Sequence, residues 1–304
     1  MSLFQSIQHT RDLGDDGAVE SVQPLEPIQI ETALGPLVPI HHVEDHGRKK
    51  LTPVKLHKNG RVKSMSLQDA TLVRTPLGDI PAELVTFYES GAARRVFPLN
   101  GKLSGYWTEQ NEYKLARTLS IPTPIGVLAV KPLYIQFYET GELKSILMWP
   151  KEKVIIDTPV GKMKIRKGVS FHRNGALASC EPDTPVPIET PLGTIEAHDP
   201  DPDGLTEHMS LQFTDTGGLA GLSTTRTVVN SVDGGRNYSF APAVRRSMCS
   251  DNAFTVSPLK IAFRDDVYAF RNGRIPIGEV SALADFSLAS FQTDKTLAGA
   301  KCEI

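Results

Sequence analysis

The chain is poor in the residues that announce a reaction or a compartment. Three cysteines stand in 304 residues, Cys180, Cys249 and Cys302, an odd number with no C-x-x-C pair. A reduced, cytoplasmic interior is the simplest setting for them. Charge of one sign is also missing: 33 Lys and Arg against 35 Asp and Glu leave a formal net charge of −2. No global field draws in nucleic acid or an anionic membrane, so neither partner is expected. Nowhere do 18 apolar residues follow one another, and Met1 to Thr10 lacks the cationic start and apolar run of a signal peptide. The chain contains no G-x-S-x-G elbow, no G-x-x-x-x-G-K-[ST] phosphate loop, no G-x-G-x-x-G fingerprint and no H-E-x-x-H helix.

What is present is repetition. One phrase runs from an apolar residue through polar ones to a glycine: Leu56-His-Lys-Asn-Gly60, Phe87-Tyr-Glu-Ser-Gly91, Phe137-Tyr-Glu-Thr-Gly141, Phe171-His-Arg-Asn-Gly175 and Phe213-Thr-Asp-Thr-Gly217. A second alternates with it: Thr32-Ala-Leu-Gly35, Thr75-Pro-Leu-Gly78, Thr123-Pro-Ile-Gly126, Thr158-Pro-Val-Gly161 and Thr190-Pro-Leu-Gly193. Proline presets φ at the first central position of a β-turn and glycine tolerates the exit geometry, so each copy is expected to close a hairpin. Around Thr158-Gly161, Met163 and Ile165 alternate with Lys162, Lys164 and Arg166, which predicts a strand with one buried face and one solvated cationic face. No stretch from 28 to 225 carries a 3.6-residue period, and no helix is expected there.

The expected fold is all-β: tandem antiparallel β-hairpins in an elongated, solenoid-like sheet, with a six-bladed propeller as the structural rival. The chain divides into a polar lead at 1–27, five two-turn repeats at 28–225, and a degenerate sixth repeat with a cap at 226–304. A cap is needed because an array ending on its consensus leaves an edge and an apolar face open. Ser281 to Phe291 reads equally as a short helix or a last strand.

The segment Phe137-Tyr-Glu-Thr-Gly-Glu-Leu-Lys-Ser145 resembles the hairpin phrase of bacterial MORN-like β-hairpin repeat proteins, some of them loosely described as antitoxin components. The resemblance implies stacked β-hairpins in an extended sheet. It implies no catalytic residues.

Candidate chemistry lies where the repeat is interrupted. His41, His42, Glu44 and His46 gather imidazoles and carboxylates able to ligate zinc or another transition metal. On a strand, His42, Glu44 and His46 share a face but lie about 7 Å apart in succession, wide for a three-ligand site. Asp199, Asp201 and Asp203 followed by Gly204 match the opening of a calcium loop, although position 12 is Ser210 instead of a bidentate glutamate. Cys180 and His172 fall on one expected hairpin, where a small buried cysteine is the plainer reading than a nucleophile. Tyr106, Trp107, Tyr113 and Trp149 form either a binding surface or core. Arg48-Lys49-Lys50 and Arg245-Arg246 are too short for nucleic-acid recognition. The functional expectation is a noncatalytic scaffold presenting its inserts to a protein partner; the alternative is a metal-dependent enzyme or small-ligand binder built on residues 41–46.

Overall fold

The computed structural model describes residues 9–14, 18–42, 51–100, 109–200, 209–246 and 254–292. Both recurring phrases close hairpins. In the Thr-Pro-x-Gly copies, Thr32 pairs with Gly35, Thr75 with Gly78, Thr123 with Gly126, Thr158 with Gly161 and Thr190 with Gly193 across a two-residue loop. Each threonine hydroxyl donates to the carbonyl of its glycine at 2.5 to 2.7 Å. In four copies it also accepts the second loop residue's N–H at 3.0 to 3.3 Å. The five glycines have φ between +95° and +114°, where an L side chain is strained. Threonine thus supplies β propensity and locks the turn with one hydroxyl.

Just inboard of every such turn sits a cross-strand aliphatic pair: Ile30/Leu37, Val73/Ile80, Ile121/Leu128, Ile156/Met163 and Ile188/Ile195. All ten side chains are buried. Burial of each is worth about 1.5–3 kcal/mol. We call these hairpins flaps.

The other phrase forms longer hairpins, here called arms. Its second residue donates its N–H to the carbonyl just past the glycine at 2.8 to 2.9 Å, as in Tyr88 to Ala92, and the glycine N–H returns to that residue's carbonyl. A register shift accompanies the turn in all five arms. In three arms the side chain at the same second position reaches the next arm. His57 Nε2 lies 3.1 Å from the Phe87 carbonyl, the Tyr88 hydroxyl donates to the Phe137 carbonyl at 2.9 Å, and His172 Nε2 lies 2.8 Å from the Phe213 carbonyl. Asn59 and Asn174 add matching links to the carbonyls of Glu89 and Asp215. The phrase therefore encodes a turn and, where its second residue is His57, Tyr88 or His172, a lateral bond to the neighbouring repeat.

The chain divides into two compact halves, Met1–Trp149 and Pro150–Ile304. In the first, antiparallel strands follow in the order His9–Leu13, Val19–Pro24, Val54–Leu56, Val62–Thr75, Gly78–Phe87, Ala93–Phe97, Pro132–Phe137 and Leu143–Met148. Across them runs the register row Val22, Val54, Met65, Val85, Val96, Ile135 and Ile146, each at most 1% exposed. In the second, Gly161–Phe171 is followed by Leu177–Pro182, Leu211–Phe213, Leu219–Thr224, Leu259–Phe263, Val267–Asn272 and Ile275–Ser281. Its row is Val169, Cys180, Leu211, Leu222, Ile261 and Phe270, none more than 2% exposed. Within each half the ladder of arms is continuous, where propeller blades would break it into separate four-stranded sheets.

One local expectation changes, one open alternative is decided, and the lead carries structure. Part of the polar lead is strand, since Val19–Pro24 pairs with both His9–Leu13 and Val54–Leu56. A helix occupies Glu109–Leu115 although none was expected between 28 and 225; it buries no side chain, so it leaves no apolar period to read. Asp285–Ser290 is a strand, and it pairs with Thr227–Asp233, which also pairs with Arg236–Phe240. This three-stranded sheet stands where a two-stranded sixth flap would be.

Candidate functional site

The strand Gly161–Phe171 keeps its alternation through Ile165 and then breaks it. Its register with Leu177–Pro182 passes from Arg166 opposite Glu181 directly to Val169 opposite Cys180, leaving Lys167 and Gly168 as the extra residues of a bulge. Lys167 has φ +64° and is the only non-glycine residue with positive φ among the described residues. The left-handed conformation costs about 1–2 kcal/mol for an L residue. Lys167 is nevertheless only 8% exposed. Arg166, on the face of Lys162 and Lys164 and directly before the bulge, meets a buried carboxylate there instead of open solvent. Lys164 is also engaged, 3.6 Å from Asp183, which Lys153 holds from the other side at 2.6 Å. The Lys153 hydrogen bond, with the charges of Lys153 and Lys164, keeps the Asp183 carboxyl below the usual carboxylate range.

Glu181 is fully buried. Its Oε1 accepts the Asp199 N–H at 3.0 Å and its Oε2 accepts the Ser210 N–H at 2.8 Å. Arg166 Nη2 lies 3.6 Å from Oε1 and donates to the Asp199 carbonyl. Asp199, 3% exposed, places Oδ2 3.8 Å from Lys260 Nζ. The Ser210 carbonyl accepts the Ser223 N–H, and the Ser223 carbonyl accepts the His198 N–H. Glu181, Ser210, Ser223 and Lys260 thus lie along adjoining strands, and one carboxylate ties the residues on both sides of segment 200–209.

Burial pushes the Glu181 carboxyl up, against the N–H bonds from Asp199 and Ser210 and the charges of Lys167 and Arg166. Burial, reinforced by Arg166, pushes the His198 imidazole down to about 4, so it is neutral at pH 7. Among the described residues neither the His198 ring nor Lys167 Nζ makes a hydrogen bond or ion pair. Cys180, beside Glu181, is fully buried, and burial pushes its thiol up to about 12. With His172 bonded to the Phe213 carbonyl, the pair makes no nucleophile.

The sequence candidates are placed as follows. His41 and His42 both donate their backbone N–H to Gln68 Oε1, at 3.0 and 3.2 Å, and His41 Nδ1 lies 3.2 Å from the Pro39 carbonyl. Glu44 and His46 lie outside the described residues. Asp199 belongs to the Glu181 cluster, whereas Asp201 and Asp203 lie outside the described residues. Among the described residues no three His, Cys, Asp or Glu side chains converge as a metal group would. Trp149 is 4% exposed and meets Tyr113 edge-on at 6.3 Å, with Lys131 Nζ 4.1 Å above the Tyr113 ring; Tyr106 and Trp107 lie outside the described residues.

Sequence reasoning missed Arg166, Lys167, Glu181, His198 and Lys260 as a group. The one local signal was Lys167-Gly168 interrupting an alternating strand, the mark of a bulge. No described helix is long and apolar enough to cross a membrane. No family model, curated protein or solved structure matches this chain.

Proposed function

We propose that this chain is a noncatalytic β-repeat interaction module of MORN-like style, presenting its flaps and inserts to a protein partner. The observation that carries this reading is the two-sidedness of the flaps. Their inner aliphatic pairs are core, yet Leu72 and Val127 in the first half are each 67% exposed, and Ile155 in the second is 63% exposed. Leu72 and Ile155 hold the same position, three residues before the turn threonine. Beside Leu72's hairpin, Leu77, Asp79 to Pro81 and Thr118 to Pro122 line a cleft of about 230 Å³ between successive flaps. Apolar side chains displayed on rigid hairpins favour protein contact over chemistry. The spent oxygens of Glu181 and the inert Cys180 thiol favour it also.

Affinity capture with the purified chain, run beside Leu72→Asp/Val127→Asp, tests the reading. A partner retained by the parent and lost by a folded double variant supports it. Stoichiometric zinc, manganese or iron that disappears in His42→Ala/His46→Ala would replace it with the metal-dependent reading.

A further inference from the structure

We propose that the bulge at Arg166-Lys167 forms, with His198 and Lys260, a binding site for a small oxyanion, a carboxylate or a phosphate group. The proposal is independent of the flap surface. Three cations, Arg166, Lys167 and Lys260, meet around Asp199 and the buried Glu181. Two of them are already committed. Arg166 is held by the Asp199 carbonyl and Glu181, and Lys260 leans on Asp199 at 3.8 Å. Lys167 is not: it is 8% exposed, has no hydrogen bond or ion pair among the described residues, and acts electrostatically on both Glu181 and His198.

An ammonium with no partner among the described residues, in so closed a place, is costly unless something neutralises it. The backbone makes the same point. A left-handed lysine is strained where glycine would sit freely, and the residue directly after it is glycine. Strain that a one-residue change would remove is kept where the side chain has work to do. The His198 ring, which also has no described partner, offers a neutral N–H donor beside these cations. Solvent reaches the cluster, because the Arg166 side chain is 21% exposed and that of Lys260 29%. This partial exposure and the mix of ammonium, guanidinium and imidazole suit a compact oxyanion.

Lys167→Gly separates ligand binding from packing, because glycine adopts the bulge conformation without strain and the variant should melt at or above the parent. Thermal melts of the full chain at pH 7 are run in sodium phosphate, sodium acetate and sodium chloride at matched ionic strength. An oxyanion at ten times its Kd favours the folded state about 11-fold, a midpoint rise of about 3 °C over chloride. The rise should vanish in Lys167→Gly, and Lys260→Gln should weaken the anion at least threefold. A response to acetate alone identifies a carboxylate ligand, and a response to phosphate alone a phosphate group. Parent melts identical in all three salts, or a Lys167→Gly response equal to the parent's, overturn the proposal. If Lys167→Gly does not fold, Lys260→Gln decides: an unchanged response overturns the site and a weakened one supports it.

Discussion

Replacing Glu181 by glutamine and by leucine divides its contribution into separable parts. The parent carboxylate satisfies two backbone donors, the N–H groups of Asp199 and Ser210, in a position with no solvent exposure. A buried donor left without an acceptor costs about 1–3 kcal/mol. Glutamine keeps one acceptor oxygen and turns an NH2 toward the other donor, so it should cost about 1–3 kcal/mol. Leucine strands both donors and leaves Arg166 without its carboxylate. Its better transfer from water offsets part of this, for a net of about 2–5 kcal/mol. Urea denaturation followed by far-UV circular dichroism gives the order parent, glutamine, leucine. Amide hydrogen exchange read by NMR gives the location: Asp199 and Ser210 should both exchange faster in the leucine variant, and one of them in the glutamine variant. A leucine variant within about 0.5 kcal/mol of the parent, with both amides still protected, would refute the account of Glu181 as a double clamp.

Other outcomes follow from the same geometry. His198 titrates near 4 in the folded chain and near 6.5 when unfolded, so the unfolded state binds more protons between those values. Its contribution to stability is therefore present above about pH 6.5 and lost as pH falls toward 4. The full shift corresponds to about 3.4 kcal/mol, reduced to about 2 by partial solvent screening; His198→Gln should flatten that limb of a stability–pH curve. Glu181 has the opposite sign: its carboxyl is raised, so its contribution is complete at low pH and declines as pH rises through the folded value. Gly221→Ala would put a Cβ 2.6 Å from the Ile261 carbonyl oxygen, an overpacking against backbone that should cost about 2–3 kcal/mol in urea midpoint analysis. Gly60→Ala meets open space and only the penalty of φ +78°, about 1 kcal/mol. Tyr88→Phe removes the bond to the Phe137 carbonyl and should cost about 0.5–1.5 kcal/mol by the same assay.

Much of the fold was legible because its signals are local. Thr-Pro-x-Gly specifies proline's φ, a hydroxyl two residues from the N–H it accepts, and a glycine at the exit, all within one turn. The arm phrase is equally self-contained, and its buried Phe87, Phe137, Phe171 and Phe213 repeat at the position the pattern gives them. The helix at Glu109–Leu115 was illegible because it buries nothing. Gly221 was illegible too, since its requirement comes from a carbonyl on the strand beside it.

By itself the sequence determined that the chain is built of antiparallel hairpins, where their turns fall, and that Met163 and Ile165 face inward. Those properties depend on dihedral preferences and on a period of two, which act over a few residues. Only the tertiary structure decided the cluster. Arg166, Glu181, Asp199 and Lys260 are strangers in the sequence and become neighbours through strand register, which sets one cation of an apparently solvated stripe against a buried carboxylate. Register is set by the joint packing of whole rows such as Val169, Cys180, Leu211, Leu222, Ile261 and Phe270, and no single segment carries that information.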